Sequence, residues 1–190
     1  MLILRVMPNQ TTEAVAIRAA VSCLNEGKVL SFPTETVYGI GADPRVATAV
    51  NRMFTIKGRD EGKPIQLIAA SWSQVEALAE LSVEEKRFLK RFWPGPLTVL
   101  LTLKKGVCLA SRVSPNRMIG IRITPDPFLQ RLIKRFGHPI AATSANRSGF
   151  VPATSGRGVA RAFSVEPKPD LLLDFGARPK RKPTTVARIL

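Results

Sequence analysis

Short apolar runs of strand length alternate along this chain with segments whose apolar residues recur at helical spacing. That alternation restricts the fold before any motif is read. Residues 29–32, 65–69, 97–103, 118–123, 140–143, 171–174 and 185–189 read as strands. Between them, Thr12 can cap a helix to about Asn25 with Val15, Ala19 and Leu24 near one face and Gly27 just beyond its end. Residues 45–56 repeat Val46, Ala49, Val50, Met53 and Phe54 at 3.6-residue spacing. Ser73-x-x-Glu76 and Ser82-x-x-Glu85 read as capping boxes, the second helix stopping at Trp93-Pro-Gly-Pro96. Asp126 before Pro127 starts a helix ending near Phe136-Gly137, and 155–163 reads as the last helix. The expectation is an α/β protein, a single domain over 1–190 with a twisted sheet flanked by helices. Uneven strand spacing around 97–123 favours a mixed sheet over a purely parallel one. The stretch 164–183 is the loosest part of the pattern.

The charge balance is the compositional outlier. Lys and Arg number 29 against 14 Asp and Glu, a net charge of +15. Such an excess concerns partners and solubility, not fold, and a polyanion such as RNA would be drawn to it with steep salt dependence. The cations peak at Arg178, Lys180, Arg181 and Lys182. The longest apolar stretches are too short to span a bilayer, and the N-terminus MLILRVMPNQ does not have the layout of a signal peptide. A cytoplasmic protein without membrane contact is expected. Cys23 and Cys108 share no metal or redox spacing and read as two buried free thiols.

Several chemistries lack their residues. No G-x-x-x-x-G-K-[ST] occurs, and Gly39-Ile-Gly41 runs into Ala42-Asp43-Pro44, which breaks a dinucleotide fingerprint. There is no HExxH and no cysteine–histidine cluster, so no metal ligands are assigned. A nucleophile would have to use His138, which sits between Gly137 and Pro139 and reads as structural or superficial.

What the chain does supply is cations, hydroxyls and an amide at the ends of apolar runs, a set suited to an anionic, phosphate-bearing ligand. Pro33-Thr-Glu-Thr-Val-Tyr-Gly39 reads either as the rim of a site at a strand end or as a tight turn in which Thr34 and Thr36 satisfy local backbone groups. Lys57-Gly-Arg59, with Lys63 four residues on, is either a solvated helix end or a clamp for phosphate or carboxylate. Thr143-Ser-Ala-Asn146 with Ser148-Gly149 comes straight off a strand and is a polar turn or an oxygen-binding loop.

Taken together, the motifs resemble those of bacterial threonylcarbamoyl-AMP synthases of the YrdC/Sua5 type, from about residue 12 to 190. PTETVYGIG, the K-x-R pair, KP at 63–64, WPGPLT at 93–98, IRI at 121–123, TSAN-x-SG at 143–149 and PTTV at 183–186 follow the order found in that family. The length resembles its short form. The resemblance implies a nucleotidyltransferase that makes threonylcarbamoyl-AMP and pyrophosphate from L-threonine, bicarbonate or CO2, and ATP with Mg2+. The product would feed t6A modification of tRNA through the proteins of the t6A-transfer machinery. It also implies roles for particular residues. Thr34, Arg122 and Thr184 would contact threonine; Lys57 and Arg59, with Lys63 beside them, would face the phosphates; Ala142, Ser144, Asn146 and Pro152 would lie along the nucleotide. Departures stand at Asp60-Glu61 after the K-x-R pair, at Ile68 where some members have histidine, and at Ala187-Arg188 after the S/T-T-V. The rival readings are a non-catalytic RNA-binding module and a related carbamoyl-transfer enzyme.

Overall fold

The computed structural model describes residues 1–58, 65–179 and 184–188. Its described strands are β1 Leu2–Arg5, β2 Leu30–Pro33, β3 Tyr38–Ala42, β4 Gln66–Ala69, β5 Leu97–Thr102, β6 Met118–Ile123, β7 Ile140–Ser144, β8 Leu171–Asp174 and β9 Thr185–Arg188. The helices are α1 Gln10–Asn25, α2 Ala47–Lys57, α3 Trp72–Leu78, α4 Val83–Leu89, α5 Pro127–Phe136 and α6 Gly156–Ala162. The strands form one sheet in the order β1-β8-β2-β3-β7-β4-β6-β5-β9. Parallel pairs (β1 with β8, β8 with β2, β4 with β6, β5 with β9) mix with antiparallel ones, as the uneven strand spacing predicts.

Period-two alternation divides the strands between two faces. Leu67 and Ala69, Ile119, Ile121 and Ile123, and Val99 and Leu101 pack on one face with Val50 and Met53 of α2, Val75 of α3, Leu89 of α4 and Val159 of α6. On the other face Leu30, Phe32, Ile68 and Ile140 pack with Ala16, Ala20 and Leu24 of α1 and with Phe128, Leu129, Leu132 and Ile133 of α5. Each of these buried Leu, Ile or Phe side chains stabilises the fold by about 1.5–3 kcal/mol. The second core is confined to the part of the sheet that α1 and α5 cover. Its continuation over β6 and β5 presents Gly120, Arg122, Thr98 and Leu100 to a cavity instead.

Local signals explain most element boundaries. Asp126 accepts from the Leu129 N–H at 2.9 Å, Pro127 opens α5, and Gly137 closes it in the left-handed region at φ 89°. Ser82 and Glu85 form the reciprocal capping box that their spacing predicts. Two caps differ from expectation. Asn9, not Thr12, caps α1, because the Asn9 carboxamide accepts from the Thr12 N–H at 2.9 Å while Thr12 lies within the first turn. The helix buries Ala16, Ala20, Cys23 and Leu24 and leaves Val15 exposed. Ser71, not Ser73, caps α3, and Glu76 instead pairs with Lys86.

Two strands carry no clear signal. β1 is a short edge strand with Leu2 and Ile3 exposed. β3 is a wholly buried strand with glycine at Gly39 and Gly41, where glycine ordinarily argues against a strand. Packing requires it: a Cβ on Gly41 would lie 2.8 Å from the Ala141 carbonyl oxygen and 2.9 Å from the Phe32 ring. The stretch 164–183 includes β8, which lies between β1 and β2. Both cysteines are free as expected, but Cys108 is exposed; burial pushes the Cys23 thiol up to about 12.

Candidate active site

A cavity of about 320 Å³ opens on the uncovered half of the second face. Thr34, Arg122, Ala142, Ser144, Pro152 and Thr184 all line it. Lys57 and Asn146 stand behind Ser144, tied to it by hydrogen bonds. Arg59 and Lys63 lie outside the described residues, as do Lys180, Arg181, Lys182 and Pro183.

The β2–β3 turn forms one wall. Thr34 Oγ1 donates to the Val37 carbonyl at 2.6 Å and accepts from the Thr36 N–H at 3.1 Å, so the threonine closes the turn as well as facing the cavity. The turn thereby delivers Glu35 to Arg122. The Arg122 guanidinium, 1% exposed, donates through Nη1 to Glu35 Oε1, while Thr124 Oγ1 donates to Glu35 Oε2 at 3.2 Å. Burial draws Arg122 below the ordinary guanidinium value, with Glu35 acting in the opposite direction. A lone buried cation would be strongly destabilising, and Glu35 is what makes this one tolerable. Arg122 Nε is buried and has no hydrogen-bond partner among the described residues. A buried guanidinium with an unmade hydrogen bond at a cavity wall is suited to a carboxylate.

The opposite end belongs to β7 and α2. Lys57, the last residue of α2, is 4% exposed and is not the solvated helix-end cation that its position in the sequence allows. Its Nζ donates to the Ser144 carbonyl at 2.8 Å and to Asn146 Oδ1 at 3.1 Å, two neutral acceptors. Ser144 Oγ donates to the same Asn146 oxygen at 2.6 Å, and Asn146 Nδ2 donates to the Phe150 carbonyl at 2.6 Å. The Ser148 N–H donates to the Lys57 carbonyl at 2.7 Å. Helix end and loop are therefore one hydrogen-bonded unit. The Lys57 charge sits behind Ser144, at the end of the cavity away from Arg122.

Several residues in or beside the cavity had no sequence signal. Glu35 is separated from Arg122 by 87 positions, and no local spacing announces such a pair. Gln66, Thr98 and Gly120 reach the cavity only because β4, β5 and β6 are neighbours. Tyr38 also lines it, but its hydroxyl donates to the Gly176 carbonyl at 2.8 Å and accepts from the Phe175 N–H at 3.0 Å. Burial pushes that phenol up to about 12, so Tyr38 ties the 175–176 turn to β3 and is no proton donor near neutrality. His138 is exposed just past the C-terminal end of α5, where Arg45 Nη1 lies 2.6 Å from its Nε2. No cluster of three or more metal-ligating side chains occurs among the described residues. No described helix is long and apolar enough to cross a membrane.

The chain is similar in sequence and fold to known proteins. The threonylcarbamoyl-AMP synthase of Pyrococcus abyssi is 42% identical over 150 residues, which is 77% of this chain and 43% of that protein. That of Coxiella burnetii (strain RSA 493 / Nine Mile phase I) is 35% identical over 179 residues, 90% of this chain and 91% of that protein. The chain spans less than half the length of the Pyrococcus abyssi and Bacillus subtilis relatives, 43% and 44%, but nearly all of the Coxiella one. Among solved structures, P. abyssi Sua5 complexed with L-threonine superposes with a TM-score of 0.85 at 34% identity, covering 99% of this chain and 54% of that one. E. coli YciO, 24% identical with a TM-score of 0.83 over 99% of this chain and 89% of its own, shows the same fold. The model of the Sua5, YciO and YrdC proteins, described as telomere recombination, matches residues 22–190. By sequence and by fold, this chain belongs to the Sua5/YciO/YrdC family.

Proposed function

We propose that the protein is an L-threonylcarbamoyladenylate synthase, joining L-threonine, bicarbonate or CO2, and ATP into threonylcarbamoyl-AMP with release of pyrophosphate. One observation carries the reading: a single cavity has a buried arginine with an unmade hydrogen bond at one end and the Lys57–Ser144–Asn146 unit at the other. The names of its relatives and the threonine complex of the P. abyssi protein point the same way.

Arg122 holds the threonine carboxylate, with Thr34 and Thr184 beside the amino acid. The threonine nitrogen attacks CO2, loses a proton to solvent and becomes an anionic carbamate. A carbamate oxygen then attacks the α-phosphorus, the bond to the bridging oxygen breaks, and pyrophosphate leaves. Such a displacement calls for alignment and positive charge on the phosphates more than for a protein nucleophile. Lys57 and Arg59, with Lys63, supply that charge, and Ala142, Ser144, Asn146 and Pro152 form the nucleotide wall. A magnesium ion bound with ATP would add positive charge on the phosphates beside that of Lys57 and Arg59. The adenylate is then used for t6A formation at position 37 of tRNA by partner proteins in the cytoplasm, and the charge of +15 supports contact with RNA.

The test is incubation with ATP, threonine and bicarbonate, following pyrophosphate and the adenylate by mass. Absence of both, with folded protein, would remove the proposal.

A further inference from the structure

We propose that Gln66, held in place by Thr98, binds the carbamate group that CO2 forms on the amine of the amino-acid substrate. The inference rests on the adenylate chemistry proposed above and adds one contact to it. Gln66 and Thr98 stand on the cavity side of β4 and β5, on either side of β6. Between them β6 has Gly120, whose Cβ, if present, would lie 3.4 Å from Thr98 Cγ2 and 3.5 Å from Leu100 Cδ2. Across this gap Thr98 Oγ1 donates to Gln66 Oε1 at 2.6 Å. Thr98 is 1% exposed, so its single hydroxyl donor is committed to that bond. The carboxamide is fixed through its oxygen, and its nitrogen has no acceptor among the described residues.

The strand register says what this nitrogen would meet. Gln66 pairs with Ala142 on one side and Gly120 on the other, whereas Ile68, two residues on, pairs with Arg122. Ser144 lies two residues beyond Ala142 in the opposite direction. Same-face side chains two residues apart are separated by about 7 Å along a strand. The Gln66 row therefore lies between the Arg122 row and the Ser144 row. A ligand with its carboxylate on Arg122 and its phosphates toward Ser144 and Lys57 passes its nitrogen, and whatever that nitrogen carries, over Gln66.

The chemistry suits the donor. When the amine nitrogen bonds to the carbon of CO2, one carbon–oxygen π pair moves onto oxygen and the nitrogen's proton leaves to solvent. The resulting carbamate shares one negative charge between two oxygens. A neutral carboxamide can hydrogen-bond one of them and leave the other to attack the α-phosphorus. A cation there would withdraw more charge from the nucleophile.

The test uses the full chain with Gln66→Met, Gln66→Glu and Thr98→Val, following pyrophosphate release against bicarbonate, threonine and ATP in turn. Calorimetric threonine binding and thermal melting run alongside. Gln66→Met should raise the half-saturating bicarbonate concentration roughly ten- to hundredfold, the range for a hydrogen bond to a charged acceptor, with threonine binding and melting unchanged. Thr98→Val, which frees the carboxamide to rotate, should give a smaller rise. Gln66→Glu is decisive because it can still accept from Thr98 but places an anion against the carbamate. It should be worse than Gln66→Met, whereas a purely structural role would make it nearly normal. Normal bicarbonate dependence in Gln66→Met, or equal shifts for threonine and bicarbonate, would overturn the assignment. So would a changed threonine-to-valine preference with bicarbonate dependence intact, which would mean that Gln66 reads the threonine hydroxyl. A wild-type protein that releases no pyrophosphate would bring down the synthase reading itself.

Discussion

Lys57 Nζ lies 2.8 Å from the carbonyl oxygen of Ser144, so a cation at the end of one helix organises a loop that begins 87 residues later. The contact gives Lys57 two roles, a structural one in holding the Ser144–Asn146 loop and an electrostatic one toward phosphate.

Substitution at Lys57 should therefore cost both stability and turnover. Lys57→Ala empties a buried site and strips donors from the Ser144 carbonyl and Asn146 Oδ1, for a loss of about 1–3 kcal/mol. Pyrophosphate release should fall by a further large factor, because losing one charge-stabilising donor costs about 3–4 kcal/mol in the transition state. Thermal melting and turnover of the same sample separate the two. Normal melting would show that the buried hydrogen bonds contribute nothing.

Glu35 should matter more to folding than its place in a turn implies. Glu35→Ala leaves Arg122 buried without a counter-charge, and breaking such a pair costs about 3–5 kcal/mol. The double variant Glu35→Ala with Arg122→Met should recover part of that loss, because no uncompensated charge remains. A denaturant-unfolding double-mutant cycle measures the coupling, and additive losses would mean that the pair is not energetically linked.

The protein should lose stability as pH falls below about 6.5, through His138. Partial desolvation draws this largely exposed histidine below its ordinary value and the facing Arg45 guanidinium adds to the shift, while Asp43 opposes both. With the folded value below the unfolded one, the unfolded chain takes up the proton first, so protonation favours unfolding. His138→Gln should flatten the dependence of melting temperature on pH over the range in which histidine titrates. An unchanged slope would clear His138 of the effect.

Charge reversal at Lys180, Arg181 and Lys182 should weaken RNA binding without stopping adenylate formation. The log–log salt slope should flatten by roughly 0.7–0.9 for each phosphate that the protein no longer neutralises. Arg178 is left out of this set because it is half-buried, with Nη2 at 3.5 Å from Asp126 Oδ2 and its guanidinium over the Phe175 ring. Filter binding across a salt series reads the slope. Unchanged affinity would show that these cations serve only solubility, and parallel loss of pyrophosphate release would place the segment over the cavity.

Within the sequence, local chemistry determined the elements whose signals are local. Asp126-Pro127 and Gly137 mark both ends of α5, Ser82 and Glu85 mark the start of α4, and the apolar run 118–123 coincides with β6. The same holds for the polar clusters at the ends of β2 and β7, with Thr34 and Ser144, although only the fold brings them and Thr184 to one cavity. What only the tertiary structure decided depends on which strands become neighbours. Gly41 stands in a buried strand because Phe32, Ile140 and Ala141 leave no room for a side chain there, a fact absent from residues 38–42 themselves. The Glu35–Arg122 pair, the burial of Lys57 and the Gln66–Thr98 bond across Gly120 all join residues that are distant in the chain. Caps and periodicity act over a few residues and can be read along the chain. Charge pairing and close packing act through space, and here they exist only once β4, β6 and β5 lie side by side.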